Sequence, residues 1–244
     1  MKIRFLVVLL SISMFSCTLD DGLPEMPIQE PLVSDEEPVV PQLYQILSLG
    51  DSYTIGQSVC ETCRFPVQLK DSLVATFPVV DSFSVEVIAQ TGWTTTSLLN
   101  AIESENPTNN YDLVTLLIGV NNQFQGRPFS LYETEFPALV TKAISFAKGD
   151  AENVIVLSIP DYAYTPFGQA FGNPDVTSQE IDAYNSFASQ YCAANGITFV
   201  NITDITREGL VNTVLVAEDN LHPSTVAYSL FVERLLPFAI EKIQ

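Results

Sequence analysis

The stretch Gly50-Asp51-Ser52-Tyr53-Thr54-Ile55-Gly56 follows directly on the apolar run of residues 43–49, LYQILSL. The run is typical of a buried strand, whereas Gly, Asp and Ser are residues that favour turns. A helical pattern begins at residue 64, so a strand, a turn and a helix are expected in succession. Ser52 is therefore predicted at a strand-to-turn break, which can present a nucleophilic hydroxyl above the edge of an α/β sheet. An ordinary turn is the alternative interpretation.

Strand and helix patterns alternate along the rest of the chain. Strands are predicted over residues 43–49, 83–89, 113–118, 153–159 and 197–202. Helices are predicted over residues 64–77, 94–103, 131–148 with an interruption near Pro137, 178–195 and 223–243. This alternation predicts an α/β protein, with a five-stranded parallel sheet between two layers of helices. Right-handed crossovers bring the C-terminal ends of all the strands to one edge, where α/β proteins bind ligands.

Three further blocks of small and polar residues stand at this predicted edge. They are Thr91-Gly92-Trp93, Gly119-Val120-Asn121-Asn122 and Asp219-Asn220-Leu221-His222-Pro223. The first two blocks follow the second and third predicted strands, and the last block precedes the final helix. Because they share the edge with the turn at Ser52, we expect Gly92, Asn121, Asp219 and His222 to lie near that serine.

Ser, Gly, Asn and His in this order and setting resemble the SGNH, or GDSL-type, hydrolase family. The resemblance spans residues 42–244, and Gly50-Asp51-Ser52 with Asp219-x-x-His222-Pro223 are its most specific parts. One position departs from the pattern, because the family commonly has Gly-x-Asn-Asp where this chain has Asn122. The resemblance implies a flavodoxin-like strand order, 2-1-3-4-5, and a serine hydrolase of carboxylic esters that needs no cofactor.

The chemistry of such an enzyme requires a base beside the nucleophile, because a serine hydroxyl is a poor nucleophile at neutral pH. His222 is the only histidine of the chain. Asp219, three residues earlier, is close enough in a turn to accept the Nδ1–H of His222 and to hold the imidazole in the useful tautomer. The alternatives are a structural histidine and a solvated or capping aspartate.

An oxyanion hole must also be present, since attack on an ester builds negative charge on the carbonyl oxygen. The family resemblance implies three donors: the backbone N–H groups of Ser52 and Gly92 and the side-chain amide of Asn121. Gly92 suits this position because it lacks a Cβ, and Asp51 is expected to brace the turn. Gly92 as a plain turn glycine and Asn121 as a turn or cap residue are the alternatives.

The N-terminus carries an export signal. Lys2 and Arg4 precede the apolar residues 5–15, a stretch too short for a spanning helix of about 20 residues. Cys17 resembles the cysteine that is lipidated in bacterial lipoproteins, which makes residues 1–16 the signal peptide. Ordinary signal cleavage is the alternative. Lipidation would attach the protein to the outer membrane or cell surface, with a periplasmic location as a further alternative.

Residues 17–42 are rich in proline and acidic residues and have no Lys or Arg. Such a segment cannot bury enough apolar area to fold, so we expect a disordered tether ahead of a hydrolase domain at residues 43–244. The net charge of −19 argues against nucleic-acid binding, which needs clustered Lys and Arg.

Cys60 and Cys63 are predicted to form a local disulfide, since nearby cysteines of an exported protein are more often oxidised than free. A zinc site would need four nitrogen or sulfur ligands, and only Cys192 and the already assigned His222 remain. We therefore expect no metal. A thioredoxin-like redox role is disfavoured because the pair lies in a loop after the nucleophile turn.

A long aromatic loop follows the fourth predicted strand, and the sole tryptophan stands beside Gly92. These aromatic side chains are candidates to line the substrate site: Trp93, Tyr162, Tyr164 and Phe167. Packing over the end of the sheet is an equally good explanation for them.

Two functions remain open at this point. The first is a lipid-anchored serine esterase whose substrate is a small-molecule or carbohydrate ester, with acetylated sugars, short-chain esters and lipid esters as the candidates. The second is a non-catalytic surface lipoprotein that binds carbohydrate or another ligand with the same fold.

Overall fold

The structure is a computed structural model, and it describes residues 40–77 and 81–243. The predicted signal peptide, Cys17 and nearly all of the predicted tether lie outside the described residues. Within the described ranges, no helix combines the length and the hydrophobicity needed to cross a membrane.

Five parallel strands form the sheet in the described part of the chain. They are β1 (Leu43–Gly50), β2 (Ser82–Ala89), β3 (Leu113–Leu117), β4 (Val154–Leu157) and β5 (Thr198–Val200). Their order is β2-β1-β3-β4-β5, which confirms the predicted fold class and strand order. Every residue of β3 and β4 is buried, as expected for strands covered on both faces.

Nine α-helices lie in the described ranges. They are α1 (Ser52–Ile55), α2 (Phe65–Thr76), α3 (Thr95–Glu105), α4 (Val120–Phe124), α5 (Phe129–Phe146), α6 (Pro166–Ala170), α7 (Pro174–Ala194), α8 (Thr203–Arg207) and α9 (Thr225–Ile243). Helices α2 and α9 pack together on one face of the sheet, and α3, α5 and α7 form a second layer. The five predicted helices correspond to α2, α3, α5, α7 and α9.

Two of the predicted helices differ from the observed ones. Helix α5 runs without a break through Pro137. An interior proline removes a backbone hydrogen bond and crowds the preceding turn, and burial of the neighbouring side chains of Phe136 and Leu139 offsets this cost. Helix α7 begins at Pro174, four residues earlier than predicted. There, Asn173 caps the first turn by accepting hydrogen bonds from the backbone N–H groups of Asp175 and Val176.

Three strands end at the same level of the sheet. In the pairing register, Gly50 at the end of β1 stands opposite Ala89 at the end of β2 and Leu117 at the end of β3. The chain therefore leaves all three strands at one edge, and the next few residues of each segment include Ser52, Gly92 and Asn121. This common level positions the candidate site.

The loop after β4 is held at the same edge by an ion pair whose carboxylate is fully buried. The Asp161 carboxylate accepts hydrogen bonds from Arg207 Nε at 3.0 Å and Ser178 Oγ at 2.6 Å. Its other oxygen accepts the backbone N–H of Ala163 at 3.0 Å. These contacts satisfy a carboxylate with no solvent exposure and fix the 3₁₀ turn at Tyr162–Tyr164.

Candidate active site

Ser52 is the first residue of α1, in a turn that has no room for a larger residue at Gly50. A Cβ at Gly50 would overlap Thr54 Oγ1 and would stand 2.5 Å from the carbonyl oxygen of Leu117. Asp51 caps α1, since its Oδ1 accepts the backbone N–H of Tyr53 at 3.0 Å. The turn thus holds Ser52 rigidly at the end of β1, where the side chain is 4% exposed.

His222 and Asp219 form a hydrogen-bonded pair in the loop before α9. His222 Nδ1 lies 2.6 Å from Asp219 Oδ2. Asp219 Oδ1 accepts the backbone N–H groups of Leu221 and His222, both at 3.0 Å, so the aspartate also shapes the loop that carries the histidine. His222 is 8% exposed, and its ring lies 5.7 Å from that of Tyr53, centroid to centroid, in an edge-on contact.

Asp219 is kept ionised by its hydrogen bonds. Partial burial alone would raise its pKa, but the hydrogen bonds from Ser58, His222 and the backbone outweigh burial and lower the pKa to about 2. The carboxylate is therefore charged throughout the neutral range, and it can stabilise an imidazolium at His222.

Two candidate oxyanion donors follow β2 and β3: Gly92 lies in the loop after β2, and Asn121 lies in the first turn of α4. Gly92 has a φ of +86°, and a Cβ there would meet no atom within 4 Å, so the space beside its backbone is open. Its carbonyl oxygen accepts Gln125 Nε2 at 2.9 Å. The Asn121 amide donates one hydrogen bond to the Trp93 carbonyl at 3.0 Å, which orients the amide and leaves its second N–H for a ligand.

A cavity of about 220 Å³ brings these groups together. Ser52, Gly92, Asn121 and His222 all line it, and Asp219 lies behind the histidine. The rest of the lining consists of Tyr53, Thr91, Val120, Phe124, Tyr162 and Leu221. A serine hydroxyl, a histidine–carboxylate pair and N–H groups around one small cavity are the kinds of group that acyl transfer requires.

Residues 48–230 of the chain match the GDSL-like lipase/acylhydrolase family. The chain belongs to this family. It is accordingly a serine ester hydrolase, and this membership decides for the enzyme over the non-catalytic binding protein that the sequence left open.

Solved structures of similar fold include an acetylxylan esterase and two lipolytic proteins. The acetylxylan esterase Axe2 of Geobacillus stearothermophilus is 20% identical with a TM-score of 0.61, over 80% of this chain and 94% of that one. A lipase/acylhydrolase of Enterococcus faecalis is 19% identical with a TM-score of 0.60, over 82% and 95%. A lipolytic protein of the G-D-S-L family from Veillonella parvula is 18% identical with a TM-score of 0.59, over 80% and 97%. At these identities the likeness shows the fold. A search of curated protein sequences gave no match.

Of the aromatic residues predicted to line the site of this GDSL-like hydrolase, the structure places only Tyr162 at the cavity. Trp93 packs against the core instead, and its backbone carbonyl holds Asn121. Tyr164 lies under the guanidinium of Arg207, whose Cζ is 5.8 Å from the centroid of the tyrosine ring. Phe167 does not line the cavity itself; it stacks on Phe171 with ring centroids 5.4 Å apart and lies 6.3 Å from the ring of Phe124, which does line it. Phe124 lines the cavity without having been predicted, because it lies in the short helix α4, which has no periodic pattern.

Asn122, where the family commonly has Asp, belongs to a buried network behind Asn121. Its Oδ1 accepts the backbone N–H of Thr95 at 2.9 Å, and its Nδ2 donates to Thr95 Oγ1 at 2.6 Å. That hydroxyl in turn donates to the carboxylate of Glu135. An aspartate at position 122 would compete with Glu135 for the single hydroxyl proton of Thr95, so asparagine suits this network.

The other cysteine and metal predictions concern the surroundings of the site. Cys60 and Cys63 form a disulfide, and Cys192 is a buried free thiol in the core. Across the described residues, no three His, Cys, Asp or Glu side chains gather as a metal site would require.

Asp51 differs from Asp219 in having an unsatisfied oxygen. Its Oδ2 has no hydrogen-bond partner among the described residues, and the side chain is fully buried. Burial raises the pKa of Asp51 and backbone hydrogen bonds lower it; burial is the larger effect, so the pKa is raised to about 7. A protonated carboxyl still accepts the N–H of Tyr53 through Oδ1, so the cap survives either state.

Substitution of Asn121 by Ala should lower kcat by about two orders of magnitude while changing KM little, because the donor matters most once charge has formed on the oxygen. The measurement is steady-state hydrolysis of a chromogenic acetyl ester. Asn100→Ala, which removes an exposed asparagine of α3, is the matched control and should match wild type. An unchanged kcat in Asn121→Ala would remove Asn121 from the oxyanion hole.

Substitution of Asp51 by Asn should change how stability depends on pH. The folded state of the wild type binds a proton more tightly than the unfolded state does, so its free energy of unfolding falls as pH rises from about 4 to about 7. Asn keeps the acceptor for Tyr53 and cannot ionise. The free energy of unfolding of Asp51→Asn, measured by denaturant titration and taken relative to wild type, should therefore be roughly 2–4 kcal/mol higher at pH 8 than at pH 4. If the stability difference between the variant and wild type were the same at both pH values, Asp51 would not be a buried carboxyl that is protonated at low pH.

Proposed function

We propose that this hydrolase transfers the acyl group of its substrate to Ser52 and that it removes small acyl groups, acetyl above all, from carbohydrates. The observation that carries the proposal is the small cavity shared by Ser52, His222, Gly92 and Asn121. Its volume of about 220 Å³ lies below the roughly 300–1,000 Å³ of sites that enclose a drug-sized ligand, so it suits a short acyl group better than a long chain.

In the proposed reaction, Ser52 Oγ attacks the ester carbonyl carbon while His222 Nε2 takes the hydroxyl proton. Asp219 holds Nδ1 and balances the positive charge on the ring. The oxyanion receives N–H donors from Ser52, Gly92 and Asn121. When the tetrahedral intermediate collapses, His222 returns the proton to the leaving alkoxide, and the acyl group stays on Ser52.

Water then releases the acyl group by the same route in reverse. His222 takes a proton from the water, the hydroxide attacks the acyl-enzyme, and the proton returns to Ser52 Oγ. In the described structure no hydrogen bond joins Ser52 Oγ to His222, although both line the cavity. Such bonds are often incomplete without substrate, so substrate binding has to complete this one.

An aromatic shelf beside the cavity supports carbohydrate as the alcohol part of the substrate. The shelf consists of Phe124, Phe167 and Phe171. The ring of Phe171 stacks on Phe124 at 5.3 Å and on Phe167 at 5.4 Å, centroid to centroid. Phe124 is 41% exposed and Phe171 is 52% exposed, and Phe124 also lines the cavity. A contiguous exposed apolar surface at the mouth of a site marks a place for ligand.

Polar groups also stand at the cavity, which Thr91 lines. Thr91 Oγ1 donates to Gln57 Oε1 at 2.6 Å, and Gln125 lies nearby because it bonds the carbonyl of Gly92. A sugar ring has apolar C–H faces that can lie on an aromatic ring and hydroxyl groups that need polar partners, so this mouth offers it both. The acetylxylan esterase among the similar structures supports the same substrate class.

The first test is substitution of Ser52 by Ala, which removes the attacking oxygen. Activity towards both acetylated xylo-oligosaccharides and p-nitrophenyl acetate should fall to a few per cent of wild type or less. Ser130→Ala, which alters an exposed serine of α5, should keep full activity. Substantial turnover by Ser52→Ala would refute the assignment of the nucleophile.

The second test concerns the shelf. Phe171→Ala should raise KM for acetylated oligosaccharides by about two- to tenfold, as expected for one aromatic contact, and should leave p-nitrophenyl acetate hydrolysis nearly unchanged. Phe238→Ala, an exposed phenylalanine of α9, is the matched control. In a series of p-nitrophenyl esters, kcat/KM should decline beyond short chains. Equal losses on both substrates, or a preference for long chains, would contradict the carbohydrate proposal.

We further propose that Cys17 is lipidated and that residues 17–42 tether the domain to a bacterial membrane, at the outer membrane or cell surface. Support comes from the basic start, the short apolar segment and the proline- and acid-rich residues that follow.

The anchor proposal predicts that the wild-type protein fractionates with membranes and that Cys17→Ser does not carry lipid. More than one acyl chain is needed for stable anchoring, so the mass of the mature N-terminus should include several chains on Cys17. An unmodified N-terminus at another residue would mean plain secretion and would leave the esterase proposal untouched.

A further inference from the structure

Ser58 makes a contact with the candidate catalytic aspartate that no motif predicts. It follows the nucleophile turn in sequence, and its Oγ donates to Asp219 Oδ2 at 2.5 Å, across 161 positions of the chain. The same oxygen is 2.6 Å from His222 Nδ1. With the two backbone N–H groups on Oδ1, the carboxylate has four donors, and Ser58 supplies the only one that comes from outside the Asp219–His222 loop.

The backbone at Ser58 is strained. Its φ is +68°, in the left-handed region that residues other than glycine rarely adopt. Such strain persists only where surrounding structure enforces it, and it is found preferentially at functional sites. Here the unusual backbone presents Oγ to Asp219, so the strain and the hydrogen bond belong together.

The disulfide lies next to Ser58 in the same loop. Cys60 is bonded to Cys63, and the backbone N–H of Cys63 also donates to the Cys60 carbonyl at 2.9 Å. The Cys63 carbonyl accepts Gln68 Nε2 from α2 at 2.5 Å, which ties the disulfide turn to a packed helix. On the other side of Ser58, the Gly56 carbonyl accepts the N–H of Val59, which closes a turn around Ser58. Ser58 therefore lies between this turn and the disulfide-closed turn that begins at Cys60.

We propose that Ser58 is a positioning residue for Asp219 and that the Cys60–Cys63 disulfide holds it in place, so that turnover depends on an intact disulfide. The proposal rests on the catalytic roles of Asp219 and His222 in the proposed function. Ser58 touches neither substrate nor the reacting atoms. It fixes the carboxylate oxygen that faces His222 Nδ1 and thereby the orientation of the imidazole. The hydrogen bonds that lower the pKa of Asp219 include this one, first among them.

The first arm of the test uses Ser58→Gly and Ser58→Ala in the oxidised protein. Both variants lack the hydroxyl, but glycine adopts a positive φ freely whereas alanine does not. Both should lose kcat by about tenfold with KM nearly unchanged, since a hydrogen bond to a charged group is removed and the cavity is not. The melting temperature of Ser58→Gly should equal or exceed that of wild type. A wild-type kcat in Ser58→Gly would overturn the positioning role.

The second arm uses a dithiol reductant. Dithiothreitol passes two electrons and two protons to the disulfide, giving thiols at Cys60 and Cys63 and a cyclic disulfide of the reagent. Reduction should lower kcat of the wild type severalfold and should lower kcat of Ser58→Gly no further. The double variant Cys60→Ser/Cys63→Ser should match reduced wild type and should not respond to the reagent. If reduction lowered kcat equally in wild type and in Ser58→Gly, the disulfide would not act through Ser58, and that part of the proposal would be wrong.

The two arms distinguish this proposal from the proposed function itself. If Ser52→Ala stays active, the catalytic assignment fails whatever Ser58 does. If Ser52→Ala is inactive and Ser58→Gly is as active as wild type, the nucleophile stands and the positioning role fails. Circular dichroism on the reduced protein checks that it remains folded, and the first arm decides the role of Ser58 without any reduction.

Discussion

Three neighbouring parallel strands end at the same level of the sheet, and the rest of the site depends on this constraint. Gly50, Ala89 and Leu117 pair across β1, β2 and β3, and the chain turns out of the sheet just beyond each of them. At Gly50 the turn is so tight that a Cβ would meet the Leu117 carbonyl. Ser52, Gly92 and Asn121 then need only short loops to face one cavity, and short loops are the ones that can hold groups to the tolerance catalysis requires.

Two aspartates of the site show how environment decides what a carboxyl group does. Asp51 is fully buried with one oxygen unpartnered, and its pKa is raised to about 7. Asp219 has four hydrogen-bond donors, and its pKa is lowered to about 2. The first therefore acts as a neutral or ionised cap of the nucleophile turn, and the second is a permanent charge beside His222. The proposed mechanism needs a carboxylate that is charged beside His222, where it stabilises the imidazolium, and it needs no charge beside Ser52.

The fold and the family were predictable from the sequence because apolar strands, helical periodicity and the Gly50-Asp51-Ser52 and Asp219-x-x-His222 motifs are local patterns. The contacts that refine the site were not. Ser58 meets Asp219 from a distant part of the chain, and Asn122 acts through Thr95 and Glu135 on other helices. The position of Trp93 beside Gly92 is local in the same way, but the direction of its side chain depends on packing, and the side chain packs against the core. Phe124 was missed because a helix of five residues has no periodicity to detect.

The proposed mechanism requires Ser52 to be a nucleophile that is activated in the folded site, and covalent labelling can detect such a serine. A fluorophosphonate reacts with such a serine and not with ordinary surface hydroxyls. We expect one label per chain, located on Ser52 by mass spectrometry of peptides, with labelling abolished by unfolding and strongly slowed in His222→Gln. Labelling at another residue, or no labelling of the native protein, would show that Ser52 is not an activated nucleophile.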